Sequence, residues 1–314
     1  MLDSEFPRWS HNNHRQPHNA KIRREIGWKA TAPTAPEHEQ TKILIIFPYR
    51  NREIHYHEFI EHFASIKRPE WDVSFMVIDQ GNDFDFRRAW LLNIGIAEAL
   101  KLYEHKKYST CLVGHDIDML ASSQVDYSWC DRPTQTCSEL SCEDYSVPYP
   151  SYTGGTVAAL LSDWESINGL TNVARGWGGE DDELYQRFRL NNLLEKDGFI
   201  RRAPKGQGVC ECLNDGDHTR RKRNNNILND IAEKVFRMQE GSDEWKRDGL
   251  NNLKYKVMDR RVDDYNTLWL KVDETEEEHS KMKEKRSPDE KIKIYKILNG
   301  RSIYAGIRER RQIF

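Results

Sequence analysis

The stretch Gly176-Trp177-Gly178-Gly179-Glu180-Asp181-Asp182 sets three consecutive carboxylates directly behind two glycines and a tryptophan. On an ordinary helix face those acids would repel one another. In a first helical turn the free N–H groups and the helix dipole favour them, and Glu183-Leu184-Tyr185-Gln186-Arg187-Phe188 reads as the helix that follows. The glycines let the backbone bend and let a second body come close, and Trp177 offers a broad flat ring on the loop. One acid in this place would be a solvated helix start. The whole string points to a site.

Other chemistry-bearing residues stand where apolar runs end. Asp116-Ile117-Asp118 follows Thr110-Cys111-Leu112-Val113-Gly114. In an extended backbone two aspartates one residue apart point the same way and can share a divalent cation and its diphosphate. Arg50 and Arg52 follow Lys42 to Phe47, and Phe86 and Arg88 follow a turn at Gln80-Gly81-Asn82-Asp83. An arginine pair suits phosphate or base recognition, and a phenylalanine beside an arginine can stack on and pair with a ligand. His218, in Leu213-Asn214-Asp215-Gly216-Asp217-His218-Thr219, is a candidate metal ligand because Asp118 calls for a partner.

The elements that must hold these residues alternate strand and helix. Strands are expected at Lys42 to Phe47, Trp71 to Asp79, Thr110 to Gly114 and Thr156 to Leu161. Helices are expected from the Arg52 turn through Ile66, from Phe86 to about Tyr103, from the acidic loop to Leu190, and from Ile227 to Met238. Ser162-Asp163-Trp164-Glu165 matches a capping box opening a short helix. Ser122 to Pro148 reads as irregular. Phe199 to Ala203, Gly208 to Leu213, Lys254 to Met258 and Thr267 to Val272 read as further strands. A continuous apolar strand followed by a polar turn and a helix opens an α/β unit, and ligands bind beyond the carboxyl ends of such strands. Arg50 and Arg52, Phe86 and Arg88, and the Asp116–Asp118 pair lie at such ends.

Residues 1–40 are rich in His, Asn, Arg and Pro and read as a disordered arm; 41–274 is the folded domain; 275–314 is a charged tail. The net charge of −3 argues against a nucleic-acid partner. No run approaches the ~20 apolar residues that span a bilayer, and no signal-peptide core opens the chain. Six cysteines allow one or two bridges, and no Asn-x-Ser/Thr sequon occurs.

Six motifs in order carry a resemblance: Phe-Pro-Tyr-Arg-Asn-Arg, Phe-Arg-Arg-Ala-Trp-Leu-Leu-Asn-Ile-Gly, Asp-Ile-Asp, Tyr-Thr-Gly-Gly, Gly-Trp-Gly-Gly-Glu-Asp-Asp and Asp-Gly-Leu-Asn-Asn-Leu. From about Ile43 to Val272 the chain resembles the β-1,4-galactosyltransferases, glycosyltransferase family 7, with the xylose-specific proteoglycan-linker branch among its relatives. The resemblance implies an α/β, GT-A nucleotide-sugar transferase fold with a mostly parallel central sheet flanked by helices. It implies inverting transfer of galactose from UDP-galactose to the 4-hydroxyl of a terminal β-linked xylose or GlcNAc on a glycan or proteoglycan, with Mn²⁺. A catalytically silent sugar- or nucleotide-binding protein, or a UDP-GalNAc transferase, is the competing reading. By the same likeness Pro48, Arg50, Arg52, Phe86 and Arg88 hold the nucleotide, with Asp116, Tyr152 and Gly155 beside the donor. Asp118 and His218 ligate the metal, and Asp215, Asp217 or Cys212 completes the set, a carboxylate suiting Mn²⁺ better than a thiol. Trp177 rides a loop that closes over the donor, Glu180 and Asp181 contact the acceptor, and Asp181 is the general base. Leu228 and Ile231 wall an acceptor pocket, or are plain core. Cys111 and Cys130 match a disulfide pair.

The sequence departs from the family in three places. An insertion precedes His218, no Lys or Arg occurs between Pro133 and Tyr152, and Arg175 stands where many relatives have an aromatic residue. The resemblance implies that the residue at 152 faces the donor sugar's second carbon, where a tyrosine is expected to crowd an N-acetyl group and so favour galactose. The family works in the Golgi lumen behind a membrane anchor that this chain lacks, so a truncated or a soluble form is expected.

Overall fold

A computed structural model describes residues 42–213 and 225–275. Expectations for the arm at 1–40, for His218 and Asp215, and for all but the first residue of the tail at 275–314 lie outside the described residues.

The apolar runs become the middle of an eight-stranded sheet. Strand β1 (Lys42–Tyr49) lies between β2 (Asp72–Gln80) and β3 (Thr110–His115), parallel to both. Alternate side chains of β1 enter two different cores. Leu44 and Ile46 pack with helix α2 (Arg88–Tyr103), while Ile43, Ile45 and Phe47 pack with helix α1 (Glu53–Ile66). A sheet covered on both faces needs apolar residues at every position, and that is why these strands read as unbroken runs. β1 runs past its expected end because Pro48 sits where β1 pairs only with β2, opposite Ile78; pairing with β3 has already stopped at Ile46. A missing N–H costs little there.

Downstream of β3 come β4 (Met119–Ala121), β5 (Thr134–Gln135), β6 (Glu139–Leu140) and β7 (Thr156–Leu160). Helices α3 (Leu161–Ser166) and α4 (Glu180–Leu190) precede β8 (Arg201–Arg202) and β9 (Val209–Cys212). Helix α5 (Asn225–Gln239) and the hairpin of β10 (Lys256–Val262) and β11 (Leu268–Asp273) follow. The large sheet runs β10-β11-β2-β1-β3-β7-β5-β8, and β4-β9-β6 form a second sheet. Its centre is parallel from β11 to β3; β7 runs antiparallel against β3 and β5, as β10 does against β11.

Several expectations are corrected. Residues 122–148 are not wholly irregular, since β5 and β6 lie there. The predicted capping box is not formed: α3 starts at Leu161 with Leu160 as its cap and no side-chain cap bond, so Ser162 already lies inside the helix. Three disulfides are present rather than one or two: Cys111–Cys130, the expected pair, with Cys137–Cys210 and Cys142–Cys212. Cys212 is thereby excluded as a metal ligand.

Candidate active site

The site lies where β1, β2 and β3 end. Arg50 donates from Nη1 to the carbonyls of Asn82 at 3.2 Å and Phe84 at 2.5 Å, and its guanidinium stands 5.5 Å from the centre of the Phe86 ring. Two of the sequence candidates thus form one stacked unit, held by the turn after β2. Arg88, at the start of α2, donates from Nε to Asp116 Oδ1 at 2.6 Å and from Nη2 to the carbonyl of Gly155 at 3.1 Å. Burial alone would lower the Arg88 pKa, but Asp116 and Glu180 outweigh it and hold the guanidinium above its ordinary value. Arg52 Nη1 stands 3.8 Å from Asp118 Oδ2.

Asp116 and Asp118 do not lie on an extended strand. β3 stops at His115, and the Met119 N–H donates back to the Asp116 carbonyl at 3.2 Å, closing a turn. The two carboxylates consequently meet different arginines. His115 explains why the turn stays put. Burial pushes its pKa down to about 4, so the imidazole is neutral near pH 7. Its Nδ1 lies 2.8 Å from the Asp116 carbonyl, which can only accept, so Nδ1 carries the proton and Nε2 accepts from the Tyr127 hydroxyl at 2.8 Å.

The acidic string closes the other side. Gly178 and Gly179 have φ of 109° and 91°, and Gly179 caps α4. A Cβ on Gly178 would stand 3.3 Å from Leu228, and one on Gly179 would stand 3.2 Å from Ile231. Only glycine combines that backbone with that approach. Leu228 and Ile231 of α5 are therefore 3% and 2% exposed, packed beneath the loop backbone. The Gly176 N–H donates to the Phe86 carbonyl at 2.9 Å, tying the Trp177 loop to the chain just before α2. Arg175 joins Arg87 on one carboxylate oxygen of Glu274, each at 2.7 Å, so this residue braces the loop's base.

Asp181 accepts a hydrogen bond from the Tyr149 hydroxyl at 2.8 Å. Its neighbour Glu180 is pushed up to about 7 by burial first and by Asp181 second, with Arg88 opposing. Glu180 Oε2 is buried and has no hydrogen-bond partner among the described residues. Glu183, the fourth acid, does something else: fully buried, it pairs with Arg187 at 2.7 Å and with Lys234 at 2.7 Å. Tyr152 lays its ring over the Gly154-Gly155 backbone, where a Cβ on Gly154 would fall 2.8 Å from its hydroxyl, and packs edge-on to Tyr149 at 5.6 Å.

The structure brings together Arg50, Phe86, Arg88, Asp116, Tyr152, Gly155, Glu180 and Asp181, with Arg52 and Asp118 at one side and Pro48 buried behind them in β1. Among the described residues no group of three His, Cys, Asp or Glu side chains could hold a metal. Asp118 supplies one carboxylate, and the other two expected ligands, Asp215 and His218, lie outside the described residues. The Leu213 N–H, on the last described residue before them, donates to the Asp118 carbonyl at 2.7 Å. A carboxylate and an imidazole are ligands that suit Mn²⁺. Sequence reasoning missed Tyr149 and His115. The hydroxyl two residues before a Ser-Tyr pair carries no pattern, and a neutral buried histidine looks like any other in a motif.

The architecture is that of a known class. The fold matches a crystal structure of a Drosophila β-1,4-galactosyltransferase 7 mutant in complex with manganese, UDP-Gal and xylobiose, with a TM-score of 0.59 and 22% identity, covering 74% of this chain and 94% of that one. The catalytic domain of Drosophila β-1,4-galactosyltransferase 7 in complex with xylobiose matches with a TM-score of 0.56 over the same coverage. Residues 9–131 match the N-terminal region of glycosyl transferase group 7, and residues 135–207 match the N-terminal domain of galactosyltransferase. Mouse β-1,4-galactosyltransferase 1 is 33% identical over 220 residues, which is 69% of this chain and 51% of that protein. Rat β-1,4-galactosyltransferase 4 is 31% identical over 219 residues, 69% of this chain and 59% of that protein. The chain belongs to the β-1,4-galactosyltransferase family, glycosyl transferase group 7, and spans about half the length of its curated relatives.

Proposed function

We propose that this chain transfers galactose from UDP-galactose, with inversion, to the 4-hydroxyl of a terminal β-linked sugar. One observation carries the reading: the acidic start of α4 and the Arg88–Asp116 pair, far apart in sequence, interact around one site, with Glu180 feeling both. Arg50 with Phe86 and Arg52 would hold the nucleotide, and Arg88 would hold the donor. Asp118 and His218, with Asp215, would bind Mn²⁺, whose charge would offset that of the departing diphosphate. Asp181 accepts the proton of the attacking hydroxyl as the new bond forms from acceptor oxygen to the sugar's anomeric carbon and the bond to UDP breaks. The Tyr149 hydroxyl orients that carboxylate. Trp177 on its glycine loop would cover the donor and exclude water.

Tyr152 over Gly154 and Gly155 supports galactose over N-acetylgalactosamine as donor sugar. For the acceptor, the tight packing of Leu228 and Ile231 under the loop supports xylose over GlcNAc, whose methyl group needs free apolar surface. The neighbouring structure that holds xylobiose points the same way. Disulfides persist in oxidising compartments, so three of them support the Golgi lumen. Among the described residues no helix is long and apolar enough to cross a membrane.

Turnover of UDP-galactose with Mn²⁺, with and without EDTA, on aryl β-xyloside, β-GlcNAc and β-glucoside acceptors tests the reading. Transfer that EDTA abolishes is expected, with the highest kcat/KM on xylose. Absence of transfer to every acceptor, with UDP still bound, would make the chain a silent binder. Asp181→Asn should stop transfer and leave UDP affinity nearly intact.

A further inference from the structure

Residues 134 to 152 supply no cation of their own to the loop at Tyr149–Gly155, yet that loop is gripped by one from elsewhere. β5 and β8 pair in parallel, with Gln135 opposite Arg202. Arg202 Nη2 donates to the carbonyls of Pro150 at 2.8 Å and Tyr152 at 3.2 Å, and its Nε donates to Gln135 Oε1 at 3.1 Å. Gln135, fully buried, donates from Nε2 to the carbonyl of Gly154 at 3.2 Å. Two side chains hydrogen-bonded to each other therefore hold the alternate carbonyls 150, 152 and 154 of one short loop.

The neighbouring arginine behaves differently. Arg201, on the opposite side of β8, pairs with Asp131 at 2.6 Å and stacks on Trp129 at 4.5 Å. Arg202 spends its donors on neutral oxygens, all in this loop or on the residue that shares the task. Its rigid planar guanidinium reaches the two loop carbonyls from Nη2 and Gln135 from Nε at the same time, a fixed spread that the single nitrogen of a lysine lacks. What the loop presents is Tyr149 to Asp181 and the Tyr152 ring over Gly154.

We propose that Gln135 and Arg202 form a clamp that positions Tyr152 and so sets which donor sugar the site accepts; this rests on the transferase reading above. They are positioning residues, acting through backbone carbonyls. With the clamp intact, the Tyr152 ring stays over the Gly-Gly backbone and crowds any substituent larger than a hydroxyl at the donor's second carbon. With it released, the ring gains room to move aside.

The test is kcat/KM for UDP-galactose and UDP-GalNAc on wild type, Arg202→Met, Gln135→Met and the neighbour control Arg201→Met, each with its melting temperature. Both clamp variants should lower the galactose-to-GalNAc preference by about tenfold, chiefly through a higher KM for UDP-galactose, while Arg201→Met leaves the preference unchanged. If Arg202→Met does not fold, Arg202→Lys serves, since it keeps the charge and loses the fork; an intermediate preference supports the clamp. An unchanged preference in the clamp variants, even with a lowered melting temperature, would reduce the pair to plain edge support and overturn the proposal. Transfer by wild type with unaltered variants defeats the clamp alone. No transfer by wild type defeats the function, and the clamp with it.

Discussion

At the scale of single residues, Glu180 offers the sharpest consequence. Its carboxyl has a pKa of about 7 in place of the ordinary 4.5, so between those values the folded protein keeps a proton that the unfolded chain has released. Stability from this group is complete below pH 4.5 and is lost as pH rises through 7. Glu180→Gln, of the same shape, should flatten that loss; if urea midpoints at pH 5 and pH 8 differ as much in the variant as in wild type, Glu180 is not the group responsible. Tyr149→Phe removes a hydrogen bond to a carboxylate, worth roughly 1.5–3 kcal/mol. It should lower kcat about tenfold or more with little change in the KM for UDP-galactose, and an unaffected kcat would detach Tyr149 from the chemistry. Much of this site was legible beforehand, because Arg50, Phe86, Arg88 and Asp116 each follow a strand end. The partnerships were not, since register and turn geometry decide that Asp116 meets Arg88 while Asp118 faces Arg52.

At the scale of elements, the long strands and helices announce themselves through core periodicity, whereas β5, β6 and β8 have two residues each and no pattern can show in two residues. Charges misled in a different way. Lys234 on α5 would pass for a solvated residue, yet it is 6% exposed, paired with Glu183 at 2.7 Å and Asp248 at 2.6 Å. Burial by itself would raise the Asp248 pKa; Lys234, then the Thr171 hydroxyl and then Arg187 hold it below the ordinary carboxylate range. This network joins α4 to α5, the helix whose Leu228 and Ile231 lie against Gly178 and Gly179. Lys234→Met leaves two buried carboxylates short of a cation and should cost about 3–5 kcal/mol. Arg237→Met, on the same helix but with its exposed pairing to Glu244, should cost under about 1 kcal/mol. Equal losses in the two variants, read from denaturant midpoints, would show that the buried network carries no special weight.

At the scale of the whole molecule, the two long-range bridges decide how β9 is bound to the chain. Cys137–Cys210 and Cys142–Cys212 span 73 and 70 residues and run side by side, both ending on β9. Either one alone closes a large loop of the unfolded chain, an entropy worth roughly 4 kcal/mol in the loop-closure account. Once one is closed, the other closes only the short ring between neighbouring bridge ends, worth roughly 2 kcal/mol. The bridges therefore cannot be additive. Removing Cys142–Cys212 by paired serine substitutions should cost about 2 kcal/mol, because its neighbour still closes the large loop, and removing Cys137–Cys210 should cost about the same. Removing both should cost about 6 kcal/mol, more than the two single losses together. Urea unfolding of the three variants, with thiol counting to confirm the bridges that remain, measures this directly. Single losses that sum to the double loss would mean that the bridges act through separate local packing, and the loop-closure account of this pair would be wrong.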